Sequence, residues 1–243
     1  MGTYVRVVGF EDDGAKIVER AQSALDEAAF PQLDFMVFGC SEYRGHIAEC
    51  FKLDDFSTRV DHKLLLLVTR VDGPAVGSII PVFYKCAKNS GWDMGVIMLR
   101  SENRPDNGLP KWTDLPKGHC DFFTVLSMDA SASRKYYVIA SLVYLLKDPG
   151  VSRTSYEDFM EIFGDGEELK FERMFAANWI DMAKDEIEAC VLQVEQDSEF
   201  TMDRMQRLIN AIPEGINSIV ANFNDMEEDG CPAIVHLWYK KAD

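Results

Sequence analysis

"YVRVVGFEDDGAKIV", residues 4 to 18, decides how the chain is read. Its opening "YVRVVGF" is apolar at almost every position, with Val5, Val7 and Val8 supplying β-branched bulk. A run like that reads as a strand buried on both faces, the kind found inside a parallel sheet. The turn Glu11-Asp12-Asp13-Gly14 follows, and residues 14 to 29 read as a helix. Strand, glycine turn and helix in this order aim backbone N–H groups and a helix N-terminus at an anion such as a phosphate. Three carboxylates in the turn argue the other way, because they repel the same anion.

Outward from this stretch the rhythm repeats. "LDFMVFG", a short variable piece, "KLLLLVT", a helical stretch at 78 to 90 and "MGVIMLR" alternate apolar runs with helix-like segments. This is the β-α-β pattern of a parallel sheet with helices on its faces. "CDFFTVLSM" (120 to 128) extends the sheet, after the Pro-, Gly- and Asp-rich loop "SENRPDNGLPKWTDLPKG".

From residue 129, "ASASRKYYVIASLVYLLKDPG" opens on small capping residues, continues as an apolar helix and stops at Pro149-Gly150. Beyond it, "SYEDFMEIFGDG" reads as helix, "RMFAANW" as strand, "MAKDEIE" as helix, "CVLQVE" as strand and "TMDRMQRLINAI" as helix. "NSIVANFND" and "AIVHLWYK" read as a closing hairpin with a slightly long loop. The expected fold class is therefore α/β: a mostly parallel sheet with flanking helices over 1–128, a central helix over 129–150, and a smaller α+β domain over 151–243.

Bulk properties narrow the function. The chain has 243 residues, 47% of them hydrophobic, which is enough for one large core or two moderate ones. A formal charge of -16 excludes nucleic-acid backbones and anionic membranes as natural partners, and points to neutral or basic ones. No apolar run approaches the roughly 18 to 20 residues of a membrane span. The six cysteines form no C-x-x-C pair, and the first residues lack the basic-then-apolar layout of a signal peptide. Reduced thiols in a cytoplasmic protein are expected. The four histidines, His46, His62, His119 and His236, show no metal spacing, and no G-x-S-x-G, H-E-x-x-H or G-K-[ST] occurs. His119 and Cys120, as neighbours at a strand start, should point apart rather than form a dyad.

The order of elements, with a long helix between two domains, resembles the FtsZ/tubulin superfamily, and short stretches match it along nearly the whole chain. "VVGFEDDGAKIV" lies over the first phosphate loop of that family, and "VTRVDGPAVGSIIPVFYKCAK" over its signature T-A-G-M-G-G-G-T-G-T-G-A-A-P. "YLLKDPGVSRTSYEDF" lies over D-L-I-T-V-P-G-L-I-N-L-D-F-A-D-V and keeps Pro149, Gly150 and Asp158 in register. "NSIVANFNDMEEDGCPAIVHLWYK" resembles the closing hairpin of FtsZ.

The resemblance implies a guanine-nucleotide site made by Gly9, Glu11, Asp12, Asp13, Gly14, Gly73, Gly77 and Ser78, with GTP or GDP and Mg2+ as its cofactors. The departures weaken it. Glu11, Asp12 and Asp13 stand where glycines would cradle phosphate, and like charges near 4 Å repel by roughly 4 kcal/mol at an effective dielectric of about 20. In the second loop Pro74 removes a backbone donor and Val76 adds a β-branched side chain. Only Arg44-Gly45 echoes the third loop, and the base-reading aspartate of the central helix is replaced by Ala132 and Ser133. Asp158 matches the acid that activates water on a neighbouring subunit's nucleotide, while its companion has become Ser155.

Each position also has a plain structural reading. "EDDG" can be a solvated turn and helix N-cap, where acids suit the helix dipole, and Asp158 a helix N-terminal acid. The leading expectation is a pseudo-GTPase without cofactor, tied to the cytoskeleton or to cell division. Its partner is a protein, either a true cytoskeletal GTPase or a second copy. The alternatives are a working GTPase with a metal on Glu11, Asp12, Asp13 and Asp72, or a cleft taking another small ligand.

Overall fold

The computed structural model describes residues 3–25, 32–39, 47–53, 60–71, 76–101, 118–147, 155–182, 186–195, 201–223 and 234–241. Its contacts divide the chain into two compact units, one of residues 1–143 with 165–168 and one of residues 144–164 with 169–243.

The first unit is built on five strands: β1 (Thr3–Phe10), β2 (Leu33–Phe38), β3 (His62–Arg70), β4 (Asp93–Arg100) and β5 (Phe122–Ser127). They lie in the order β2-β1-β3-β4-β5, and every pair is parallel. β1 is buried along its whole length, and Leu64 to Val68 of β3 are fully buried. Each such leucine contributes about 2 kcal/mol by leaving water. Strands this apolar need cover on both faces. Helix α1 (Glu11–Ala24) packs on β1, β2 and β3, burying Gly14, Val18 and Ala21 at helical spacing. Helix α2 (Val76–Asn89) buries Ile79, Ile80 and Phe83 in a cluster with Tyr4, Val8 and Leu67. Successive strand residues face opposite ways, so α1 and α2 belong to opposite faces of the sheet.

Arg6 ties a short 3-10 helix (Ile47–Phe51) to this sheet. The guanidinium is 7% exposed and pairs with Asp34 of β2 at 2.8 Å. It also donates to the carbonyls of Cys50 and Lys52, both at 2.8 Å, and to the Tyr4 hydroxyl at 2.9 Å. It stacks 5.5 Å from the Trp92 ring. A buried arginine is tolerated when its donors are spoken for in this way. At the far edge of the sheet, Phe123 N–H donates to the Glu167 carbonyl at 3.2 Å, so residues 165–168 line the outer side of β5.

Helix α3 (Ala132–Lys147) is the expected helix after residue 129; the "DPG" exit lies outside the described residues. The second unit then contains α4 (Tyr156–Phe163), β6 (Lys170–Phe175), α5 (Ala176–Asp181), β7 (Ile187–Glu195), α6 (Met202–Asn210), β8 (Asn217–Phe223) and β9 (Ile234–Lys241). Its mixed sheet runs β6-β9-β7-β8. Its core gathers Trp179, Cys190, Leu192, Leu208 and Leu237, and Trp179 Nε1–H donates to the Leu208 carbonyl at 3.1 Å, joining α5 to α6. Among the described residues no helix is long and apolar enough to cross a membrane.

Four expectations are corrected. "RMFAANW" is not one strand, because the β6–β9 ladder ends at Phe175–Ile234 and the chain turns at once into α5. At "MAKDEIE", Met182 caps the end of α5 and Ile187 and Glu188 already belong to β7, while 183–185 lie outside the described residues. The last two strands are not a hairpin either. β8 pairs parallel to β7 after the crossover through α6, whereas β9 enters antiparallel between β6 and β7. Finally, "EDDG" is no turn: β1 ends at Phe10 and α1 begins at Glu11.

Candidate functional site at the ends of β1 and β3

In a parallel sheet, ligands are held beyond the carboxyl ends of the strands, where the chain enters the next helix. Here that place is the β1–α1 junction beside the end of β3. Gly9 and Gly14, expected to free backbone for phosphate, are used for packing. A β-carbon on Gly14 would stand 2.3 Å from the Val68 carbonyl oxygen, and one on Gly9 would stand 2.8 Å from the Gly14 carbonyl oxygen. Both glycines let the first turn of α1 lie flat on β1 and β3.

The three acids follow from that placement. The N-cap residue Phe10 offers no side-chain hydrogen bond, so the carboxylates of the first turn supply the negative charge favoured at a helix start. Glu11 is buried, at 8% exposure, and takes a left-handed backbone with φ of 61°. That conformation is costly for a residue with a β-carbon and marks a forced strand-to-helix junction. Asp12 faces solvent. Asp13 meets Arg70, the last residue of β3, with 3.0 Å between Oδ2 and the guanidinium, and both side chains are about two-thirds buried.

No three His, Cys, Asp or Glu side chains converge among the described residues, so Glu11, Asp12 and Asp13 do not form a metal cluster with one another. Consecutive helical residues splay about 100° apart, which explains it. Gly77 and Ser78 lie exposed in the first turn of α2. Asp72, Gly73 and Pro74 lie outside the described residues. Thr69, between Val68 and Arg70, is fully buried, and its hydroxyl has no hydrogen-bond partner among the described residues.

Asp158 sits in the second unit and is engaged as a helix cap. The Ser155 N–H donates to its Oδ2 at 2.9 Å, and the Asp158 N–H donates to Ser155 Oγ at 3.1 Å. This reciprocal pair is a capping box. The Ser155 backbone N–H, followed by its hydroxyl, holds the Asp158 carboxyl below its ordinary range. Ser155 and Asp158 together thus complete a helix start.

Other titratable groups of the first unit serve the sheet. Lys88 pairs with Asp121 and Asp93 at 2.8 Å each. Burial works against its charge, but the two carboxylates outweigh it and the ammonium is held above its usual range. Cys120 is buried and its thiol is pushed up to about 12, while His119 is exposed and its ring meets that of Tyr84. No nucleophile is activated there. Arg70 and Arg6 were not singled out from sequence. For Arg70 the signal was present: a cation ending the strand next to one that leads into three acids.

No protein-family model matches the sequence, and no curated protein does. Solved structures do match. An empty FtsZ dimer from M. jannaschii superposes with a TM-score of 0.71 at 11% identity, covering 99% of this chain and 89% of that one. CetZ from Methanosaeta thermophila strain DSM 6194 gives 0.69 at 13% identity, over 98% and 86%. A GDP-form TubZ protofilament from Bacillus thuringiensis serovar israelensis gives 0.66 at 10% identity, over 97% and 84%. The parallel five-stranded sheet with helices on both faces and the smaller mixed sheet are therefore an FtsZ/tubulin-like fold.

Proposed function

We propose that the protein is an FtsZ/tubulin-like cytoskeletal protein that has given up its nucleotide and works in the cytoplasm by associating with other proteins. One observation carries this reading: β1 passes into α1 with no loop between them, and the first turn of that helix holds three acids, one paired to Arg70. A phosphate at that helix start would face Asp12 and Asp13 and compete with Asp13 for its cation. Gly9 and Gly14 are consistent with the same reading, since packing alone accounts for them.

Among the similar structures, TubZ and a CetZ2 from Haloferax volcanii are described as protofilaments, which supports association as the mode of action. With a formal charge of -16, copies of this chain repel one another, so a partner with a basic surface is favoured over a filament of this chain alone. The family's catalytic acid survives in Asp158 as a cap, and hydrolysis is not part of the proposed activity. Calorimetric titration with GTP and Mg2+ tests the reading: no heat of binding is expected, and micromolar affinity at physiological salt refutes it.

A further inference from the structure

We infer that the Asp13–Arg70 pair is a built-in clasp, an anion supplied by the chain itself that fixes the first turn of α1 to the end of β3 without a ligand. The inference rests on the nucleotide-free reading above and adds what replaces the nucleotide.

The geometry places the two residues together by construction. Gly9 pairs with Val68 in the β1–β3 ladder, and Arg70 is two residues further along, on the same face of β3 as Val68. Gly14 rests on the Val68 carbonyl, so the residue before it is delivered to the end of β3, where the carboxylate meets the guanidinium at 3.0 Å. The two residues lie 57 positions apart in the chain, so the contact closes a long loop rather than decorating one helix. An N-terminus without a side-chain cap and a cation ending the adjacent strand both call for negative charge at this point. Asp13 provides it from within.

Like any coupled ion pair, the clasp makes a double demand. Removing either partner should hurt, and removing both should hurt less than the sum, because the second removal has no pair left to break. Removing the carboxylate alone should also leave a cation and a helix start that respond to an added anion.

Thermal unfolding of the full chain tests this for the native protein, Asp13→Asn, Arg70→Gln and the double variant, each with and without sodium pyrophosphate. The expected result is a lowered midpoint in both single variants, a double variant that loses less than their sum, a native midpoint unmoved by pyrophosphate, and a raised midpoint for Asp13→Asn with pyrophosphate. If Arg70→Gln does not fold, Arg70→Lys takes its place and must show coupling of the same sign. Additive losses, or an Asp13→Asn protein indifferent to pyrophosphate, overturn the clasp. GTP binding by the native chain with the coupling intact would instead overturn the proposed function and leave the clasp standing.

Discussion

Gly14 rests on the backbone of Val68 so closely that any β-carbon at position 14 would stand 2.3 Å from the Val68 carbonyl oxygen. A glycine that suggests a phosphate loop in sequence is, in the folded chain, a packing device between α1 and β3. The contact is with backbone, which cannot swing aside. Gly14→Ala should therefore cost about 2–3 kcal/mol of stability by overpacking, measured by urea unfolding. A variant as stable as the native chain would show that α1 does not lie against β3 in this way.

Arg6 makes the second prediction. Its buried guanidinium holds Asp34, the Tyr4 hydroxyl and the carbonyls of Cys50 and Lys52 in one arrangement. Arg6→Met keeps the bulk and removes every donor, so it should destabilise the protein by about 3 kcal/mol, in the range for breaking a buried charge arrangement. Retention of full stability would mean that residues 47–53 are held by packing alone.

Much of this was legible beforehand, and the misses share a cause. Apolar runs such as "KLLLLVT" disclose parallel strands because both faces must be buried, and Ile79, Ile80 and Phe83 disclose one face of a helix. What escaped depends on which strands become neighbours. β8 and β9 are adjacent in sequence, yet β7 lies between them, and only the pairing partner of β6 decides where that strand stops at Phe175. The Asp13–Arg70 contact spans 57 positions for the same reason. "EDDG" reads as a turn because a glycine after acids usually marks one, whereas in the fold the glycine is needed inside the first turn of a helix.

The capping box at α4 gives a pH signature. The folded Asp158 carboxyl lies below its ordinary value of 3.8, so its contribution is complete above that value and is lost as pH falls through the lower folded one. Exchange of the Ser155 amide, followed by NMR, should stay slow down to the ordinary carboxylate range and quicken below it. Ser155→Ala should cost about 1 kcal/mol of helix stability at neutral pH. An amide whose exchange ignores acidification would remove the cap from the account.

Burial pushes the thiols of Cys50 and Cys120 up to about 12 and that of Cys190 to about 11. At pH 8 these three remain protonated and enclosed, so they should react with a thiol reagent only on unfolding. Rapid native-state labelling of all six cysteines in the chain would contradict the described core.

A formal charge of -16 predicts self-repulsion that is strongest where screening is weak. Sedimentation at low ionic strength, without nucleotide or divalent cation, should show a monomer. Cooperative filaments under those conditions would show that copies associate despite their charge.

The most direct test of the account is calorimetric titration of the native chain with GTP, in the presence and absence of Mg2+, at physiological salt. Glu11, Asp12, Asp13 and the Asp13–Arg70 pair at the start of α1 predict no measurable binding with or without the metal. Saturable micromolar binding, above all binding that requires Mg2+, would contradict it.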